Sequence, residues 1–137
     1  MKSRESLIRL KKFQVDEKRR QVMQIETMKA EFARMAAELD DQIIAEQERA
    51  GIDDVSHFAY PTFAKAARQR RDNLLTSVHD LDEQLEAAQD LLAEAVEELK
   101  KIEILHERDQ ERERLEHEAH EQEQLDEIAG RKASAAF

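Results

Sequence analysis

A run of apolar residues between Leu74 and Leu105 constrains this chain more than any other feature of its sequence. Its members recur alternately every four and every three positions: Leu74, Val78, Leu81, Leu85, Ala88, Leu92, Ala95, Leu99 and Ile102. This heptad repeat is typical of a helix whose narrow apolar seam is buried against another helix. The fold therefore depends on which segment covers the seam.

The composition favours long helices over a compact globule. Charged residues make up 39% of the 137 residues and aromatic residues 4%, and two Gly and one Pro are available for turns. A disordered charged chain is the alternative, but the regular seam argues against disorder in the middle of the chain. The absence of cysteine excludes a disulfide framework. A net charge of -10 argues against nucleic acid as the main partner.

The chain is predicted to be cytoplasmic. No run of about 18 apolar residues is present to span a membrane. The basic segment at the N-terminus is not followed by the apolar run, of about 7–15 residues, that a signal peptide needs.

A first helix is predicted from about residue 2 to residue 50, where neither Pro nor Gly occurs. Its apolar residues fit a heptad with these members at the a and d positions: Ile8, Val15, Val22, Ile25, Phe32, Ala36, Leu39 and Ile43. Lys11, Lys18 and Lys29 interrupt this frame. Long lysine stems can cover apolar surface while the ammonium reaches water, so the interruptions weaken the heptad without excluding it.

Residues 51–61, GIDDVSHFAYP, form the only interior break in the pattern. Gly51 is suited to end the first helix in a left-handed conformation, and Pro61 suits the first turn of the next helix. Asp54 and Ser56 are turn formers. A second helix is therefore predicted from about 62 to 129, followed by a flexible tail over 130–137.

The two predicted helices can cover each other. Facing residues of an antiparallel hairpin have a constant total of residue numbers, and the predicted seam pairs total 113 or 114: Val15 with Leu99, Val22 with Leu92, Phe32 with Leu81, and Leu39 with Leu74. The predicted fold is all-α, a single antiparallel two-helix coiled-coil hairpin over 1–137 that is a monomer when free. Its longer second helix protrudes from about Glu107. A parallel dimer is the less favoured alternative.

No catalytic motif is found, so an enzyme, a cofactor and a metal site are not expected. Two glycines cannot supply a phosphate-binding loop, and no nucleophile elbow occurs. Glu103-Ile104-Leu105-His106 matches the Glu-x-x-His motif of di-iron helices, but the second copy that such a site needs is missing. His117 and His120 lie one turn apart without further ligands around them.

Two regions are candidates for partner binding. Phe58, Tyr60 and Phe63 cluster at the bend, where they form either a staple that closes the hairpin or an exposed tip that docks into a partner. Between His106 and Ile128 ten acids accompany three arginines. This segment is either a solvated helix end or a protruding helix that another protein holds.

The unequal helices, the single bend and the stretch SHFAYPTFAKAARQRR (Ser56 to Arg71) resemble the FliJ family of flagellar type III export proteins. The resemblance covers essentially the whole chain. It implies a non-enzymatic stalk, similar to the shaft of rotary ATPases, whose joined terminal helices insert into the hexameric export ATPase and promote its assembly and activity. It also implies contacts with the cytoplasmic domain of the export gate and with export chaperones, at the flagellar basal body beside the inner membrane.

The resemblance also implies binding residues. On the family's gate-binding face, Phe63 and Ala67 are the matching positions. The predicted gate-binding tip adds Phe58 and Tyr60, the other aromatic residues of the bend. The ATPase ring would contact the terminal arms through Arg4, Lys11, Lys12, Arg108, Arg112 and Leu115. Arg70 and Leu74 depart from the family's gate-binding pattern. Two alternatives stay open: a self-associating structural scaffold with no ATPase partner, and a chaperone that clamps unfolded clients.

Overall fold

The computed structural model describes residues 2–57 and 59–135, which form two α-helices and no strand. Helix α1 spans Lys2–Ala50, 49 residues, and helix α2 spans Thr62–Ala135, 74 residues. The prediction of an all-α fold built from two long helices, the second one longer, is confirmed.

The chain divides into two units, and each helix contributes to both. The terminal unit combines Met1–Phe13 with Val96–Phe137, and the bend unit comprises Gln14–Ala95. The prediction that one hairpin domain extends over 1–137 stays a prediction.

In the bend unit, small side chains on α2 allow the two helices to approach closely. Ala64 and Ala67 are 0% and 5% exposed, and Ile43 on α1 is 3% exposed. Two ion pairs join the helices here: Lys29 with Asp82, and Arg71 Nη1 with Asp40 Oδ1 at 2.8 Å. Both pairs have residue numbers that total 111, as an antiparallel arrangement requires.

The terminal unit is held in the same antiparallel sense. Arg4 pairs with Asp109, a total of 113, and Lys11 Nζ lies 3.0 Å from Glu98 Oε2, a total of 109. Three of the four ion pairs therefore fall below the totals of 113 and 114 predicted for the seam. Long charged side chains join residues beside the seam, so these totals need not equal those of the facing seam residues. The predicted register therefore stays a prediction.

Burial differs among the residues of the predicted seam. Val15, Val22 and Leu81 are 3%, 8% and 6% exposed. The larger part of the predicted set is half-buried: Phe32, Leu39, Leu74, Leu92 and Leu99. Since a pair of helices encloses its seam from two sides only, long side chains keep contact with solvent.

Capping interactions define the bend. Gly51 has φ of +71°, a conformation that L side chains rarely adopt. Its N–H donates to the Gln47 carbonyl at 2.8 Å, and the Ile52 N–H donates to the same carbonyl at 3.3 Å. The second of these bonds is the mark of a Schellman cap, which ends α1. At the start of α2, the Pro61 carbonyl accepts the first bond of the helix, from the Lys65 N–H at 3.1 Å.

Helix α2 continues to Ala135, six residues past the end predicted for the second helix near residue 129. The flexibility expected of residues 130–137 stays a prediction. A single glycine in a helix costs only about 1 kcal/mol relative to alanine. Gly130 is followed by strong helix formers, among them Arg131, Lys132 and Ala133, which offset that cost. Among the described residues, no helix carries an apolar stretch long enough to cross a membrane.

Candidate partner-binding surfaces

The last part of α2, residues 111–135, is here called the overhang because it extends past the start of α1 in the terminal unit. The Arg4–Asp109 ion pair places the beginning of α1 beside residue 109. Every residue from 111 to 135 is exposed. The overhang is thus a single helix that presents all of its faces.

Short-range interactions within the overhang support a helix that has no tertiary partner. Arg114 donates to Glu111 Oε2 at 3.1 Å and to Glu118 Oε1 at 2.6 Å, and Gln122 donates to Asp126 at 3.0 Å. The hydrogen bond with Glu111 is the main cause that raises the pKa of Arg114, and the same bond lowers the pKa of Glu111. Such pairs, three or four residues apart, favour helix formation.

The overhang combines apolar and acidic side chains. Leu115, Leu125 and Ile128 are 53%, 59% and 48% exposed. Residues 111–127 also contain eight acids against two arginines. A partner that buries this helix therefore needs apolar contacts and basic side chains.

The residues predicted to contact an ATPase ring fall into two groups. Arg4 and Lys11 pair with acids of α2 inside the terminal unit, so they stabilise the hairpin. The other four are exposed: Lys12, Arg108, Arg112 and Leu115.

An open groove runs between the two helices of the terminal unit. Its lining residues are Glu5, Ile8, Arg9, Lys12, Glu103, His106, Glu107 and Gln110. The Nδ1 atom of His106 is buried there and has no hydrogen-bond partner. Within the described parts of the chain, no group of three or more His, Cys, Asp or Glu side chains is arranged to hold a metal ion.

The sequence left open whether the aromatic residues of the bend form a staple that closes the hairpin or an exposed tip. The structure gives different answers for Tyr60 and Phe63. Tyr60 is 8% exposed, and its hydroxyl accepts a hydrogen bond from Gln47 Nε2 at 2.8 Å. Phe63 is 55% exposed. Phe58 lies outside the described residues. Tyr60 thus closes the bend, while Phe63 presents an apolar ring to solvent.

Two members of the predicted gate-binding set, Tyr60 and Ala67, are buried. Their role in gate binding stays a prediction. The small residues Ala64 and Ala67 lie one turn apart and face α1. Phe63 precedes Ala64 by one residue, so it is rotated by about 100° away from that face. Of the predicted tip residues that the structure describes, Phe63 alone offers contact area.

The loop that carries this tip is ordered by Asp54. The Asp54 carboxylate accepts hydrogen bonds from the Ser56 hydroxyl at 2.7 Å and from the Ser56 N–H at 3.0 Å. These two bonds lower the pKa of Asp54, because they favour the ionised carboxylate. The loop is therefore held by a charged acceptor at neutral pH.

A further apolar surface escaped the sequence analysis. Leu7, Leu10 and Phe13, here called the α1 patch, are 40%, 50% and 52% exposed. Their spacing of three residues places them on adjoining parts of one helix face, and exposed Arg9 and Lys12 lie beside them. This spacing, outside the heptad frame of α1, was the signal that could have revealed the patch.

The match to a known family covers nearly all of these features. A family model described as the flagellar FliJ protein matches residues 1–136. Comparison with curated proteins and comparison with solved structures gave no significant match. The matched range includes both helices, the bend and the overhang, and it agrees with the resemblance of the segment from Ser56 to Arg71. The chain therefore belongs to the FliJ family of flagellar proteins.

Proposed function

We propose that this chain is a non-enzymatic stalk and adaptor of the flagellar type III export apparatus, whose terminal helices enter the ring of the hexameric export ATPase. Family membership implies a role related to flagellar type III export. The insertion into the ring, the activation of the ATPase and the contacts with the gate and the chaperones are our proposal.

The observation that carries the proposal is the overhang. The paired helices end near the Arg4–Asp109 ion pair, and α2 continues as a fully exposed helix over 111–135. A ring can surround such a helix without first separating it from α1. Leu115 lies at the start of this segment and is 53% exposed, so it is the first apolar side chain that a surrounding subunit would bury.

The adaptor role is assigned to the bend that connects the two helices. Phe63 is the exposed aromatic residue of the bend, and exposed aromatic side chains are common anchors in protein interfaces. We assign to it the contact with the cytoplasmic domain of the export gate. Binding of export chaperones, and a cytoplasmic location at the basal body, follow from the family resemblance alone.

The test measures ATP hydrolysis by the flagellar export ATPase of the same cell, with and without this chain. We expect the wild-type chain to stimulate hydrolysis and the Leu115→Asp variant to lose most of the stimulation, because burial of the new carboxylate is unfavourable. Met23→Asp is the matched control, since Met23 is an apolar residue of α1 that is 64% exposed. It should stimulate as the wild type does.

Two results would contradict the stalk. One is no stimulation by the wild-type chain where the ATPase forms hexamers. The other is equal stimulation by the Leu115→Asp and Met23→Asp variants. The gate contact is tested separately: Phe63→Ala should weaken binding to the gate domain and leave ATPase stimulation unchanged. Unchanged gate binding would remove Phe63 from the proposal.

A further inference from the structure

We propose that two copies of this chain associate reciprocally, with Leu125 and Ile128 of each overhang packed on the α1 patch of the other copy. The surfaces involved belong to the terminal unit, and the association needs no ATPase. The inference is therefore independent of the function proposed above, and it turns the predicted monomer into a concentration-dependent equilibrium.

The two apolar surfaces have the same spacing. Leu10 and Phe13 are three residues apart on α1 and are 50% and 52% exposed. Leu125 and Ile128 are three residues apart on α2 and are 59% and 48% exposed. Two residues with this spacing form a short ridge along one helix face, so the two ridges can lie side by side in parallel helices.

The occupant of the patch has to come from a second copy. The Arg4–Asp109 and Lys11–Glu98 ion pairs set residues 98–109 of α2 beside residues 4–11 of α1. Beyond them the overhang is a continuous helix that runs away from its own patch. Because α1 and α2 are antiparallel within one copy, a two-fold axis between facing copies brings each overhang parallel to the other copy's α1.

Charge supports the same partner. Exposed Arg9 and Lys12 flank the α1 patch, whereas exposed Glu123 and Asp126 flank Leu125. The overhang carries eight acids against four basic residues over 111–135, and its first part, 111–127, has eight acids against two arginines. Two overhangs would therefore repel each other, and an overhang on a basic patch is the favourable combination.

The charges around the two apolar pairs are also complementary when Leu10 is aligned with Leu125. Lys11 and Lys12 directly follow Leu10, and Asp126 and Glu127 directly follow Leu125. Five residues later the signs reverse in both segments, with Asp16-Glu17 in one and Arg131-Lys132 in the other.

The association would compete with insertion into a ring, because both use the overhang. The contact is formed by few apolar side chains, so it should be weak and depend on concentration, as small interfaces are. At low concentration the overhang is free to bind, and at high concentration pairs of chains cover each other's overhangs.

The first experiment uses the absence of cysteine in the natural chain. The Leu10→Cys and Leu125→Cys variants of the full chain are mixed in equal amounts and treated with a mild oxidant. Peptide mapping by mass spectrometry should find a disulfide between positions 10 and 125. Each variant alone, and a mixture of Met23→Cys with Leu125→Cys, should give little cross-linked product.

Either of two outcomes overturns the proposal. Cross-linking of Leu10→Cys alone to the same extent as the mixture would show that patch pairs with patch. No link between positions 10 and 125, at concentrations where the chain associates, would exclude the overhang as the occupant.

Sedimentation equilibrium provides the second measurement. The average mass of the wild-type chain should rise with concentration from 16.0 kDa toward twice that value. Leu10→Asp and Leu125→Asp should each raise the concentration at half-association by about tenfold or more, an effect equivalent to losing about 1.4 kcal/mol of binding free energy. Met23→Asp should leave it unchanged. A wild-type chain that stays at 16.0 kDa throughout, or an unaffected Leu10→Asp variant, would refute the reciprocal contact.

Discussion

Two neighbouring isoleucines of α1 allow the contribution of the seam to stability to be measured. Ile43 is 3% exposed and Ile44 is 53% exposed. Ile→Ala removes three carbon atoms, at about 0.8 kcal/mol for each buried methylene-sized group, so burial alone predicts a loss of about 2.4 kcal/mol at Ile43. Ile44 keeps about half of its surface in water, so we expect about 1 kcal/mol there. The change in helix propensity is the same at both positions and cancels in the comparison.

The difference of about 1.5 kcal/mol should appear as a difference in melting temperature. With an unfolding entropy of about 2.1 cal/mol/K per residue, a chain of 137 residues loses about 0.29 kcal/mol per degree. The Ile43→Ala variant should then melt about 5 °C below the Ile44→Ala variant, as followed by circular dichroism at 222 nm. Melting temperatures within about 1 °C of each other would show that burial at Ile43 does not determine stability, and the reasoning about the seam would fail.

Three further predictions concern single positions. Gly51→Ala should destabilise the chain by about 1–2 kcal/mol because φ of +71° is strained for an L side chain, although the added Cβ would meet no other atom within 4 Å. Gly130→Ala, where an added Cβ also meets no atom within 4 Å, should instead stabilise α2 by up to about 1 kcal/mol. Thermal melts that moved in the same direction for both variants would contradict this. His106→Leu removes a buried Nδ1 without a partner, a defect worth about 1–3 kcal/mol, so amide hydrogen exchange in the terminal unit should slow by about fivefold or more; faster exchange would refute the assignment. Because its pKa is lowered, Asp54 contributes fully to loop stability above about pH 4 and loses that contribution as the pH falls through its lowered pKa. The amide NMR signal of Ser56 should report this transition, and the transition should be absent in Asp54→Asn.

The fold class followed from short-range chemistry that is readable in the sequence. A heptad interrupted at one place by Gly51 and Pro61 allows two helices and one bend, and those are the elements observed. The end of α2 was harder to predict, because a single residue such as Gly130 weakens a helix without ending it.

The surfaces were predicted less well than the fold, for a physical reason. Which side chain at the start of α2 faces inward depends on how α2 is rotated about its own axis relative to α1. In the structure this rotation buries Ala67 and exposes Phe63. Leu10 and Phe13 lie at neither the a nor the d positions of the α1 heptad, so the periodicity of the seam does not reveal them. Sequence periodicity reports the face that is buried inside the chain, and it says little about a second face that a partner would cover.

The lysines that interrupt the seam of α1 explain why a hairpin is preferred to the parallel dimer that the sequence allowed. In an in-register parallel dimer each lysine would face its own copy across the seam, which places like charges together. In the hairpin Lys11 meets Glu98 and Lys29 meets Asp82. Each pair is partly exposed and worth about 1 kcal/mol or less, but the dimer would both lose the attraction and add repulsion. The seam of each helix is thus covered by the other helix of the same chain. Partners would therefore bind surfaces outside the seam: the α1 patch, the overhang and Phe63.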